Sequence, residues 1–402
     1  GGSSVSLHRN GLVIDTNDET CHIDWQLDSG CNYSSNPATK WILSKMPTKT
    51  NDKTSAIFPF QDCINFSIDC KIEDLESKIN TIKRFSNFSF TQKDFEEAKR
   101  KALEELDNSQ AGYDDDLDEF SFGLKYSENT EFIKSQIEKM TLEDLINDFN
   151  NMVINSQSKI IVKGPVSSNP DLMNDIANYF DTMDFKFKPN TPSQPQNIKY
   201  DYDCMVRVDN TSQNTILEQY TFPLSGNVKD KYIFNLLAEV LSKKNFNSIR
   251  EEQGLAYYSG ADIQERNMVG CISLSTDSSC NNKDDASKIL NSYKANIAEI
   301  LNGKITQEEL ILAKNKIKGS IAGMFENNEN INIYLMAGFD HEVELENISQ
   351  INKIIDSITI EDIQKASNYV FKNKPRYFMN VTDKTLNDNE ALFATLGKIE
   401  KR

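Results

Sequence analysis

The sequence predicts an α+β protein made of two tandem homologous domains, each an antiparallel-rich sheet packed with helices. Two internal correspondences and one break in composition carry that prediction. Thr91-Gln92-Lys93-Asp94-Phe95 returns 215 residues later as Thr306-Gln307-Glu308-Glu309-Leu310, and Thr141-Leu142-Glu143-Asp144-Leu145 returns 218 residues later as Thr359-Ile360-Glu361-Asp362-Ile363. The two offsets agree within three residues, as a duplication requires. Between the copies, Lys188-Pro189-Asn190-Thr191-Pro192-Ser193-Gln194-Pro195 is proline-rich and polar, the composition of an extended linker. The expected division is therefore residues 5–188, a linker at 189–198, and residues 199–402.

Each element follows from its local pattern. Asn65-Phe66-Ser67-Ile68-Asp69-Cys70 alternates apolar and polar residues, which predicts a half-buried strand, and Cys271-Ile272-Ser273-Leu274-Ser275 does the same in the second half. The four threonines Thr91, Thr141, Thr306 and Thr359 each stand three residues before an acidic residue, the signature of a capped helix start. After the helices at 141 and 359 come the strand-like runs Lys159–Lys163 and Tyr377–Val381. The acidic run Asp114-Asp115-Asp116-Leu117-Asp118-Glu119 reads as a loop or a frayed helix start, because its charges repel one another. Trp25 and Trp41 read as core.

With 402 residues the chain can bury cores of ordinary size. A formal charge of −17 argues against a nucleic-acid partner and against an anionic membrane surface. No apolar run is long enough to span a bilayer. Seven cysteines, an odd number without a Cys-x-x-Cys pair, fit free and largely buried thiols in a reducing compartment, cytoplasm or organelle matrix.

The most informative stretch is Arg250-Glu251-Glu252-Gln253-Gly254-Leu255-Ala256-Tyr257, followed by Gly260, the strand near Cys271 and the helix start Gly303-Lys304-Ile305-Thr306. In these residues and their order the chain resembles the pitrilysin/insulinase-type zinc peptidases. The resemblance implies two domains that face each other as a clam-shell around a chamber. It assigns Arg250 to holding substrate carbonyls and Tyr257 to donating a hydrogen bond to the oxyanion, roles their chemistry allows.

That family also needs H-x-x-E-H on a helix of its first half. Here the matching stretch is Trp41-Ile42-Leu43-Ser44-Lys45, so Trp41 and Lys45 stand at the two histidine positions and Ser44 at the general-base position. Glu105 matches the third ligand, while Ala98 replaces the residue that supports it. A tryptophan cannot ligate zinc, a lysine ammonium repels it, and the three histidines (His8, His22, His341) share no helix face. The resemblance therefore implies no metal in this chain. Zinc is expected in a partner, either a homologous H-x-x-E-H subunit or an upstream half of a longer chain. Ala56, Ile57 and Phe58 match the edge strand along which peptide substrates add, and Pro59 suits an edge. The expected function is a non-catalytic subunit or half of a zinc metallopeptidase. The alternative is a structural scaffold or peptide-binding protein with no proteolytic role.

Overall fold

A computed structural model describes residues 4–8, 11–28, 35–47, 56–59, 63–83, 90–108, 112–155, 158–168, 171, 174, 195–211, 213–266, 268–324 and 348–402. In chain order the first elements are β1 (Ser4–His8), β2 (Gly11–Asp15), β3 (Cys21–Asp28), α1 (Pro37–Lys45), β4 (Ala56–Pro59), β5 (Cys63–Cys70), α2 (Leu75–Lys83), α3 (Gln92–Asp107), α4 (Tyr113–Phe122), α5 (Thr130–Lys139), α6 (Leu142–Asn155) and β6 (Ser158–Gly164). Then come β7 (Cys204–Val208), β8 (Asn214–Pro223), α7 (Val228–Asn245), β9 (Tyr258–Arg266), β10 (Val269–Ser278), α8 (Asp285–Leu301), α9 (Gln307–Met324), α10 (Ile348–Asp356), α11 (Ile360–Phe371), β11 (Arg376–Val381), α12 (Asp383–Asp388), α13 (Glu390–Ala394) and β12 (Ile399–Lys401). Each predicted threonine cap forms: the backbone N–H groups of Asp94, Asp144, Glu309 and Asp362 donate to Thr91, Thr141, Thr306 and Thr359. Such a cap is worth about 1 kcal/mol to its helix. Of the expected linker, residues 189–194 lie outside the described residues.

The chain divides into two compact units. One comprises Gly1–Asp115, Glu128–Gln196 and Ala322–Ile351; the other comprises Asp116–Ser127, Asn197–Ile321 and Asn352–Arg402. Each holds a six-stranded sheet, in the orders β1-β2-β6-β3-β5-β4 and β12-β7-β11-β8-β10-β9. Five strands correspond one to one. In each sheet the first of them runs parallel to the last (β2 with β6, β7 with β11), and the other pairings are antiparallel. The sixth strand differs, since β1 is antiparallel to β2 whereas β12 is parallel to β7.

In the first unit, alternation along β3 and β5 separates two chemistries. Cys21, Ile23, Trp25, Leu27, Ile64, Phe66 and Ile68 face one way and form a single apolar cluster with Ile42 of α1, Phe95 and Ala98 of α3, Ile137 of α5 and Phe149 of α6. Trp25 stacks on Phe66 with ring centroids 4.9 Å apart. Trp25 is thus core, as expected. The opposite positions are polar: His22 stands between Asp24, 3.0 Å from its Nε2, and Asp69 on its Nδ1. Ser67 and Asn65 also donate to the buried Asp24 carboxylate. Burial alone would lower the His22 pKa, but the hydrogen bonds and charges of Asp24 and then Asp69 outweigh it and raise it to about 9.

In the second unit, β8 sends Tyr220 and Phe222 toward helices, where they meet Phe371 of α11 and Phe234 of α7 at 4.9 and 4.7 Å. Its other face is covered by α4, a helix from early in the chain. Gln219 donates to Ser121 at 2.8 Å, and Phe122 packs with Val269 and Cys271. Arginines remote in sequence hold this helix. Arg207 pairs with Asp116, Arg266 with Asp118 at 2.7 Å, and Arg402 with both Asp116 and Glu119. Arg376 lies over the rings of Tyr200 and Phe120 at 3.6 and 4.2 Å and donates to the carbonyls of Phe120 and Tyr202.

The acidic run is therefore helical, not a loop or frayed start. Its mutual repulsion is offset by cations that local sequence could not show. The unit boundary also does not fall at a single point, because 116–127 belongs with residues after 197.

Two outcomes are expected. Arg376→Ala removes a buried guanidinium and leaves the buried Phe120 carbonyl and the part-buried Tyr202 carbonyl without this donor, so it should cost about 2–4 kcal/mol, read from urea midpoints. It should also release hydrogen-exchange protection at 116–122 before other helices. His22 carries a folded pKa above its unfolded value, so its stabilisation is complete below about pH 6.5 and is lost as pH rises through about 9. The urea midpoint should fall over that window, and His22→Gln should flatten the fall; an identical slope in the variant would refute the assignment.

Candidate functional site

The Arg250–Tyr257 segment begins where α7 ends. That helix is capped by Asn227 and carries Lys243 and Lys244 in its last turn, where cations suit the helix dipole. Its last residues widen into a π-helical turn, Phe246–Glu252, a feature that often marks functional positions. Ile249 is fully buried and anchors the turn, which leaves its neighbour Arg250 facing outward. The Arg250 guanidinium lies 5.0 Å from the Phe246 ring. Among the described residues no carboxylate pairs with Arg250.

The chain reverses at Gly254, whose φ of +62° favours a residue without Cβ. The N–H groups of Gly254 and Leu255 close the turn onto the carbonyls of Arg250 and Ile249 at 3.1 and 3.0 Å. Tyr257 then donates its N–H to the Asp277 carbonyl at 3.0 Å, directly before β9 begins. Its side chain is 69% exposed, the most open of the large apolar or aromatic residues described. Arg250 and Tyr257 are thus both presented to solvent from one turn whose backbone is fixed.

Side chains that the sequence did not single out do the fixing. Asn245 and Asn296 are buried, and Asn296 Nδ2 donates to Asn245 Oδ1 at 2.7 Å and to Ser248 Oγ at 2.9 Å. Asn245 Nδ2 donates onward to the Gly260 carbonyl at 3.2 Å. Gln253 Nε2 reaches both the Ser248 carbonyl and Ser292 Oγ at 2.9 Å, and Ser278 Oγ donates to the Leu255 carbonyl at 2.6 Å. Turn, α8, β9 and β10 are joined through these bonds.

In the first unit, α1 starts at Asn36, which accepts from the Ala38 N–H, with Pro37 at the first helical position. Trp41 is half-buried against the apolar cluster, and Ser44 Oγ donates back to the Trp41 carbonyl at 2.6 Å. The fully buried Ala98 and Ala102 line the side of α3 that packs in the same cluster as Ile42 and Leu43. Beyond them Lys45 forms an ion pair with Glu105. The residues that the sequence resemblance sets at a zinc position therefore do not fit a metal ion: the carboxylate is already satisfied by an ammonium, and neither Trp41 nor Ser44 offers a suitable donor. Among the described residues no group of three His, Cys, Asp or Glu side chains is arranged to hold a metal.

The remaining predicted positions are placed as follows. Ala56, Ile57 and Phe58 lie on β4, the end strand of the first sheet among the described residues, with the Ile57 side chain buried. Five of the seven cysteines (Cys21, Cys70, Cys204, Cys271, Cys280) are described as free, and all five are buried. Burial pushes the Cys21 thiol up to about 11, with Glu73 adding to the effect, so it is held as an unreactive thiol. A polar cleft of about 420 Å³, lined by Asn36, Gln136, Asp144 and Asp148 among others, includes none of the predicted site residues. Among the described residues no helix is long and apolar enough to cross a membrane.

Residues 139–317 match the family model described as Peptidase M16 inactive domain. No curated protein sequence matches the chain. Among solved structures, a protease from Helicobacter pylori is similar at 15% identity and a TM-score of 0.65, over 94% of this chain and 99% of that one. The first half of the periplasmic protease PqqL from Escherichia coli is similar at 11% identity and a TM-score of 0.67, over 98% and 96%. Against whole PqqL, at 13% identity and a TM-score of 0.67, 98% of this chain aligns with 49% of that protein. Identities this low carry the fold alone; the fold and the match over residues 139–317 agree with the resemblance read from Arg250–Tyr257.

Proposed function

We propose that this chain is the non-catalytic subunit, or half, of a zinc metallopeptidase, and that it supplies Arg250 and Tyr257 to a homologous partner that carries the H-x-x-E-H motif and the zinc. The observation that carries this reading is the contrast between its two candidate sites. At the zinc position Lys45 satisfies Glu105, so the metal's charge has an internal substitute. At the other, an arginine with no carboxylate partner among the described residues and a 69% exposed tyrosine are held on a hydrogen-bonded turn. Keeping two such side chains solvated and pre-positioned adds nothing to packing, and it suits a ligand that arrives from outside.

In this reading the two units arose by duplication and close as a clam-shell around an extended peptide. β4, the end strand among the described residues, offers main-chain groups of Ala56-Ile57-Phe58 to the peptide. Arg250 holds substrate carbonyls by charge-assisted hydrogen bonds. Tyr257 donates its hydroxyl proton toward the oxygen that gains charge as the peptide carbonyl is attacked. The alignment with about half of PqqL supports a partner of similar size, whether on a separate chain or on the same one. A scaffold without proteolytic role remains the competing reading, favoured by the closed Lys45–Glu105 pair.

The deciding experiment is purification from the native source with identification of what accompanies the chain in stoichiometric amount. A subunit bearing H-x-x-E-H supports the proposal; a self-dimer or a non-peptidase assembly favours the scaffold. In the assembled enzyme Tyr257→Phe should lower kcat by roughly 10²-fold while leaving assembly intact, because only a hydroxyl is removed. Unchanged turnover would take Tyr257 out of the mechanism. For the isolated chain, neither equimolar zinc nor a chelator should move the melting temperature. Lys45→Ala should cost under about 1 kcal/mol, as expected for a solvent-screened pair.

A further inference from the structure

The buried amide of Asn296 stands behind the Arg250–Tyr257 turn without reaching its surface. Asn296 is 5% exposed and Asn245 is fully buried, so both amides lie where an unmet hydrogen bond is costly. The two Nδ2 hydrogens of Asn296 are committed, one to Asn245 Oδ1 and one to Ser248 Oγ. Ser248 lies two residues before Arg250 in the π-helical turn, and Asn245 bonds the carbonyl of Gly260, three residues after Tyr257. Asn296 of α8 therefore ties one end of the segment directly, at Ser248, and the other through Asn245, at Gly260. Gln253 adds a second tie from within it, bridging the Ser248 carbonyl to Ser292, four residues before Asn296 on the same helix.

A Cβ at Gly260 would stand 2.7 Å from both Ser242 Oγ and the Tyr258 hydroxyl, so β9 lies close against α7 at the point where Asn245 bonds it. A wide π-helical turn has weaker internal hydrogen bonding than an α-helix and needs such external ties to hold one conformation.

We infer that Asn296 is the positioning residue of the Arg250–Tyr257 pair, with Gln253 as its exposed second tie, and that the network sets the angle at which Arg250 meets a peptide. This rests on the proposed function. Side chains that must meet a substrate within a fraction of an ångström lose rate steeply when their support loosens, whereas the same bonds in a purely structural role would alter stability alone.

The test uses the complex purified from the native source, with fluorescein-labelled casein as probe and kcat and KM measured separately. Arg250→Ala, Asn296→Asp, Gln253→Ala and the double variant Arg250→Ala/Asn296→Asp are compared. Asn296→Asp keeps the shape and removes the donors; Gln253→Ala changes an exposed residue and keeps the assay valid should the buried variant fold poorly. The expected result is that Asn296→Asp and Gln253→Ala each reduce kcat/KM on the order of tenfold. Asn296→Asp should add less than about twofold to the loss already caused by Arg250→Ala, because both act through one group. Losses that multiply in the double variant, or wild-type cleavage by both Gln253→Ala and Asn296→Asp, overturn the positioning role while Arg250→Ala remains impaired. Wild-type cleavage by Arg250→Ala itself overturns the proposed function, and the positioning role with it.

Discussion

A guanidinium packed between two aromatic rings decides how the second unit is assembled. Arg376 sits in the middle of a sheet, where an unpaired charge would be prohibitive, yet its planar faces meet Tyr200 and Phe120 and its nitrogens meet two backbone carbonyls. A lysine could not use both the flat faces and the in-plane donors. Because Phe120 lies on α4, the ring stack also commits a helix from early in the chain to a sheet formed after residue 197. Once α4 covers that face, the opposite face is left to α7, α8 and α11, and it is between α7 and α8 that the Arg250 turn is held.

Charge compensation recurs at each place where the chain departs from simple expectation. The acidic residues of α4 would oppose helix formation if left alone, and Arg207, Arg266 and Arg402 turn them into attachment points. In the first sheet, His22 stays protonated because two carboxylates flank it, and in turn it steadies the buried Asp24. At the position expected from the sequence resemblance to hold a metal, Lys45 meets Glu105. In each case a cation from elsewhere in the fold meets a carboxylate of this net-acidic chain.

Much of this was legible in the sequence, for physical reasons. Thr91, Thr141, Thr306 and Thr359 announced helix starts because a cap is a contact between residues three apart, well within the reach of a local pattern. The strands around Phe66 and Cys271 showed through period-two alternation. What stayed hidden was non-local. Nothing near Asp116 indicates that Arg402 will neutralise it, and Asn245 and Asn296, 51 residues apart on different helices, look like ordinary polar surface until the fold joins them. The pairing of Lys45 with Glu105 was half visible: the residue types excluded a metal, but their mutual contact needed α1 and α3 to be packed together.

The corresponding strands of the two sheets give the candidate sites a common address. In the first unit α1 leads to β4, the end strand, which pairs with β5; in the second, α7 and its π-helical turn lead to β9, also an end strand, which pairs with β10. Trp41, Ser44 and Lys45 occupy that helix in one unit, and Arg250 and Tyr257 occupy the passage from helix to edge strand in the other. The two neighbouring stretches use their side chains in opposite ways. One has turned inward, with Trp41 against the core, Ser44 bonded to its own helix and Lys45 paired. The other presents Arg250 and Tyr257 outward and has its polar bonds underneath, where they stiffen the backbone without consuming the groups it displays. Their presence on a turn braced from beneath is the physical argument for a ligand that meets them.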